Sequence, residues 1–165
     1  MTKMNKVIQS DLLPKETFLV STKATPRGLI EGHILNAAVV QAAGSVTGIY
    51  FSPIDRTNLG EEAKNKGETE RAEAGLDLGN HNQVIVGITD KRLLIWSTKF
   101  FGGAKELLAA INRSQIKSIE RIETKLLVAN MPAIKITLKN NSSFDLQVAK
   151  VHIKKGEQII EEFEN

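Results

Sequence analysis

Cysteine is absent from the 165 residues, which excludes disulfides, thiol nucleophiles and Cys-ligated zinc or iron sites. Aromatic residues are few: one Trp, one Tyr and six Phe. A surface that stacks bases needs aromatics interleaved with basic side chains, and Trp96, Phe100 and Phe101 read as partly core, so nucleic acid is not an expected partner. No phosphate-cradling glycine loop occurs. Gly102-Gly103 and the dispersed Gly28 and Gly32 match neither a Walker nor a dinucleotide pattern, and the pair suits a hairpin turn. His33, His81 and His152 fall on three different expected elements, so no metal site or acid–base cluster is expected, no cofactor is implied, and the chain reads as non-enzymatic. Met1 to Gln9 lacks the continuous apolar run of a secretory signal before Asp11, which makes the cytoplasm the expected location.

Charge is missing from Ile34 to Phe51, a length that touches the lower limit of about 17 residues for a membrane span. Its content argues for a buried or partner-packed helix instead. Asn36, Gln41, Ser45 and Thr47 are costly in hydrocarbon, and Ala37, Ala38, Ala42, Ala43, Gly44 and Gly48 offer little apolar area in return. Gly44 and Gly48 stand four apart, a spacing that puts both on one helix face and permits close packing on the sheet or on a second copy of the chain.

The charge that is present is segmented. The formal net value is +3, yet residues 81 to 155 hold thirteen basic against five acidic side chains, and residues 31 to 80 four against eight. The basic excess therefore lies in the region that reads as strands, and a localised positive surface is the form of this signal that bears on partners.

Strands are legible by alternation. Ile134, Ile136 and Leu138 alternate with Lys135, Thr137 and Lys139, and after the turn Asn140-Asn-Ser-Ser the pattern resumes at Phe144, Leu146 and Val148, so residues 133 to 149 form a hairpin. Val84 to Thr89 and Arg92 to Thr98 form another across Thr89-Asp90-Lys91. Phe100-Phe-Gly-Gly makes the next turn, a strand follows from Glu106 to Ile111, and Ile116 to Ala129 continues the pattern. Glu16 to Ala24 reads as the first strand. Strands spaced by roughly 8 to 12 residues imply an antiparallel sandwich or barrel. Ile159, Ile160 and Phe163 share one face at helical spacing, which predicts a short amphipathic helix from Gly156. From Arg27 to about Gly48 a helix is expected, with Pro26 in its first turn. Glu61 to Gly79 has only Leu76 and Leu78 as large apolar residues and reads as a mobile acidic loop with a frayed helical turn.

The run from Ile85 to Glu120, with Ile88, Thr89, Asp90, Arg92, Leu93 and Leu94 around its first turn, resembles the bacterial pleckstrin-homology-like domains and their GRAM relatives. The resemblance covers Glu16 to Ala24 and about Gln83 to Asn165. It implies a single domain over residues 1–165, mainly β: seven antiparallel strands in a sandwich or barrel capped by the C-terminal helix. The chain departs from that layout in its helical insertion and acidic loop at about 27–80. The resemblance also implies a binding module, with a protein partner engaged through a strand edge or the inserted helix. The alternative is an anionic lipid at the membrane surface, met by Lys91, Arg92, Lys99 and Lys105 near the first two hairpin turns, where such folds often place anionic ligands. Homo-oligomerisation through Gly44 and Gly48 of the inserted helix is a further expectation.

Overall fold

The computed structural model describes residues 6–27, 53–79, 81–100, 102–126 and 129–165. The helix expected after Arg27, with Gly44 and Gly48, lies outside them. The described chain begins with a five-residue helix α1 (Lys6–Ser10) and the first strand β1 (Phe18–Pro26). A long helix α2 (Pro53–Glu73) precedes β2 (Val84–Thr89), β3 (Arg92–Thr98), β4 (Ala104–Asn112), β5 (Ile116–Leu126), β6 (Ala129–Leu138) and β7 (Ser143–Gln147), and α3 (Ile153–Glu164) ends the chain. The strands form one antiparallel sheet in the order β4-β3-β2-β1-β7-β6-β5. Its edge strands β4 and β5 do not pair with each other, so the sheet is open and the barrel closure allowed by the sequence is not made.

β1 joins the two halves. Phe18 and Val20 to Ala24 pair with β2, with a register shift at Leu19, and Thr25 and Pro26 pair with Gln147 and Leu146 of β7. Pro26 therefore ends a strand rather than starting a helix, a place where its missing N–H is tolerated. The main core takes Val84, Val86, Ile88, Leu93 and Ile95 from one half and Ile119, Ile134, Ile136, Phe144 and Leu146 from the other. In the β6–β7 hairpin Ile134 lies opposite Leu146 and Ile136 opposite Phe144, and all four are buried as the alternation requires. Burying each such side chain stabilises the fold by about 1.5–3 kcal/mol before conformational entropy is charged.

α3 lies on this core, with Ile159 fully buried and Ile160 and Phe163 packed beside it. It starts at Ile153, three residues before the expected Gly156. Gly156 is inside the helix and buried, because a Cβ there would sit 3.3 Å from Ile134 Cδ1 and 3.6 Å from Val148. Arg113 closes the far end: its Nη2 donates to the carbonyls of Glu162 (2.8 Å) and Phe163 (2.6 Å), and its guanidinium lies 5.4 Å from the Phe163 ring centroid. Those carbonyls have no intrahelical donor, so a cation at this end both satisfies them and opposes the helix dipole.

β2 and β3 are apolar without alternation, and the reason is a second buried layer. Ile85, Leu94 and Trp96 point away from the main core and are covered by Ile8, Val7, Leu12 and Phe18 from the N-terminal segment and by Leu107. Gly87 makes room there. A Cβ at Gly87 would lie 3.0 Å from Trp96 Cζ3, 3.1 Å from Phe18 Cε2 and 3.3 Å from Ser21 Cβ.

The segment expected to be a loop from Glu61 is helical as far as Glu73. Its Glu, Ala, Lys and Arg content favours helix even where apolar area is small, and Lys64 and Glu68 form an i,i+4 pair at 3.8 Å. Docking is polar: Arg71 Nη1 donates to the Arg27 carbonyl at 2.8 Å, and a Cβ on Gly67 would be 2.3 Å from that same oxygen. Burial pushes the Arg71 guanidinium below its ordinary pKa. Leu78, after the helix, is buried in the main core.

Valine suits strands better than glycine does, yet Gly87→Val is expected to destabilise the protein by about 1–3 kcal/mol through overpacking against Trp96 and Phe18. Urea denaturation checks this; an unchanged or raised midpoint would show that the outer layer is not packed as described.

Candidate functional site

The four basic residues singled out in the sequence do not form one cluster. Lys91 and Arg92 sit at the β2–β3 turn, whereas Lys99 and Lys105 flank the β3–β4 turn. The seven residues of β3 separate them, about 20 Å of extended chain.

Arg92 is a structural cation. Its Nη2 and Nε donate to the two carboxylate oxygens of Glu16 at 2.6 and 2.9 Å, and its Nη2 also donates to the Asp11 carbonyl at 2.9 Å. Glu16 is buried and accepts further bonds from Thr89 Oγ1 (2.6 Å) and the Leu13 N–H (2.7 Å). A buried carboxylate is tolerated only when paired and fully hydrogen-bonded, and this one is. The Arg92 hydrogen bonds outweigh the burial that would raise its pKa, and Thr89 and Leu13 add to them, so the Glu16 carboxyl is held down to about 2 from 4.5. The same pairing raises the Arg92 guanidinium. Asp11 contributes again by accepting from Trp96 Nε1 at 2.9 Å. The network clamps residues 11–16 onto the sheet. Lys91 is exposed and donates to the Pro14 carbonyl at 3.4 Å.

The other end of the sheet has a different character. Lys99 and Lys105 are exposed, and Gly102 and Gly103 both take positive φ, 78° and 99°, to make the turn between them. Lys23 of β1 crosses to this turn: a Cβ on Gly102 would be 2.6 Å from Lys23 Nζ. Phe100, read in the sequence as partly core, is 96% exposed at the tip.

The next residue back along β1 reaches a second loop. Thr22 Oγ1 lies 3.4 Å from the His152 carbonyl, in the turn Lys150–His152 that leads into α3. Lys150, Lys154 and Lys155 there are exposed, and Val151 is 85% exposed. By comparison the exposed Leu13 and Leu19 reach 49% and 36%. Lys23 thus joins Lys99 and Lys105 around the β3–β4 turn, while Thr22, on the opposite face of β1, meets the turn before α3; neither segment 97–105 nor segment 148–156 holds an acidic residue. The acidic helix α2 docks beyond them, at Arg27 and against β7.

Asp90 Oδ1 accepts from the Thr17 N–H at 2.8 Å, and Asp145 pairs with Arg27 at 2.8 Å. His81 precedes β2, His152 is in the turn before α3, and His33 is outside the described residues. Among the described residues no three His, Asp or Glu side chains are gathered as metal ligands, and no described helix is long and apolar enough to cross a membrane.

The depressed Glu16 pKa has a definite sign for stability. The contribution is fully present above pH 4.5, where the unfolded carboxyl is also ionised, and is lost as the pH falls from there through about 2. It amounts to about 3 kcal/mol. The unfolding free energy, measured by urea denaturation from neutral pH downward, is expected to fall by that amount in the native chain and to lose that part of the dependence in Glu16→Gln; parallel curves would contradict the clamp. Comparison with protein-family models and with curated proteins returns no match to this sequence, so what the chain binds is inferred from its surface.

Proposed function

We propose that the chain is a non-enzymatic, pleckstrin-homology-like binding module that associates peripherally with anionic membrane surfaces through the β3–β4 turn, where Lys23, Lys99 and Lys105 meet. What supports the fold assignment is the seven-stranded antiparallel sheet with a C-terminal helix on its core. What carries the ligand class is the meeting of Lys23 from β1 with Lys99 and Lys105 at the β3–β4 turn, in a segment, 97–105, that holds no acid. Structure-supporting lysines on strands normally scatter, and juxtamembrane lysines contribute about 1 kcal/mol each near an anionic leaflet.

A protein partner that adds a strand is the competing proposal, and the described edges favour it less. The register of β4 with β3 shifts twice, which breaks the regular row of donors that an added strand needs. β5 exposes Lys117, Glu120, Arg121 and Glu123, the charges that keep edges from pairing.

Co-sedimentation with phosphatidylcholine vesicles, with and without phosphatidylserine, tests the proposal. Binding is expected only with the acidic lipid and to weaken with salt. Replacing Lys23, Lys99 and Lys105 with Glu is expected to reduce it by about a hundredfold or more, while Lys91→Glu changes it little. Sedimentation indifferent to acidic lipid, or unchanged in the threefold variant, would reject the proposal.

A further inference from the structure

Arg71 is buried at 5% exposure, yet among the described residues no carboxylate pairs with it. Its Nη1 donates to the Arg27 carbonyl at 2.8 Å, and no other acceptor among those residues meets the guanidinium. A single bond to a carbonyl does not require a guanidinium, whose planar fork matches a pair of acceptor oxygens. Burying a cation without a counter-charge is costly, and burial lowers the Arg71 pKa although Glu68 and Glu70 oppose the shift through space.

This side chain lines a groove of about 490 Å³ at the C-terminal turn of α2, a size within the range of small-molecule sites. Ala72, Leu76 and Leu78 supply apolar wall; Leu78 belongs to the main core and Leu76 packs against it. A Cβ on Gly75, which has φ 71°, would meet nothing within 4 Å, so the groove is open there. Glu68 and Asp77 also line it, but both are exposed and engaged, Glu68 with Lys64 at 3.8 Å and Asp77 Oδ1 with the Gly79 N–H at 2.9 Å. Together with the negative end of α2 they disfavour a ligand carrying a second negative charge, such as phosphate. We infer that the groove binds a small monocarboxylate with an apolar body, its two oxygens on the Arg71 fork and its body along Ala72, Leu76 and Leu78. The site shares no residue with the β3–β4 turn, so it stands or falls apart from membrane association.

Calorimetric titration of the full chain with octanoate, octanol and inorganic phosphate tests the site. Saturable binding of one octanoate per chain is expected, with a rise in the urea midpoint, while octanol and phosphate bind at least about tenfold more weakly. Ala72→Glu keeps a helix-favouring residue at an exposed position of α2 and sets a negative charge in the groove, and is expected to weaken octanoate binding by about tenfold or more. Arg71→Lys keeps the charge but loses the fork, and is expected to weaken it by about tenfold. Octanol binding as tightly as octanoate, or octanoate binding unchanged in Ala72→Glu, would overturn the carboxylate site. Phosphate binding as tightly as octanoate would overturn the ligand class, and an absence of saturable octanoate binding would overturn the inference outright. Unchanged far-ultraviolet circular dichroism of Ala72→Glu separates these outcomes from misfolding, and vesicle sedimentation is expected to be the same in that variant as in the native chain.

Discussion

The structure depends on β1 pairing in two directions. One strand of nine residues gives its first part to β2 and its last two residues to β7, so both halves of the sheet are hydrogen-bonded to the same backbone. Without that shared strand no backbone hydrogen bonds would join β2 to β7, and the two halves of the sheet would be separate. With it, Val86 and Ile88 from one side meet Ile134 and Ile136 from the other in a single core. The bond from the Arg27 N–H to the Asp145 carbonyl at 3.2 Å and the Arg27–Asp145 pair extend the junction one residue past the strand. Side chains alternate along β1, so the two basic loops are met on its opposite faces: Thr22 reaches His152 and Lys23 reaches Gly102.

The outer face of the β2–β3 half follows a different logic. Its cover is a short N-terminal segment whose five-residue helix is far below the length at which helices stabilise themselves. Apolar packing by Ile8, Val7 and Leu12 is supplemented by the Glu16–Arg92 clamp and the Asp11 bond to Trp96. A buried ion pair of this kind contributes specificity at least as much as stability, since removing one partner leaves an uncompensated charge. Here it fixes where the segment lies, and so keeps Trp96 out of water.

Much of this was legible in the residues. Period-two alternation located the hairpin at residues 133 to 149, β-branched runs around Thr89-Asp90-Lys91 located the β2–β3 hairpin, and the Ile159, Ile160 and Phe163 face located α3, because each signal is local. Helix α2 escaped, since weighing only its apolar content ignored the propensity of its Glu, Ala, Lys and Arg residues and the polar docking through Arg71 and Gly67. Arg92 looked like a ligand contact because a basic residue in a turn gives no sign of a carboxylate 76 positions earlier in the chain. The basic end was half visible. Lys99 and Lys105 were named, but Lys23 joins them only through β1, and no spacing along the sequence encodes that. Phe100 was read inward on composition, where its position at the tip of a two-glycine turn is the signal for exposure.

The claim that Lys23 of β1 and the β3–β4 turn form one contact for anionic surfaces is tested most directly by amide hydrogen exchange of the unmodified chain, with and without anionic vesicles. Slowed exchange at residues 97–105 that leaves residues 89–92 unchanged is the predicted result. Protection centred on residues 89–92, or none at 97–105, would contradict it.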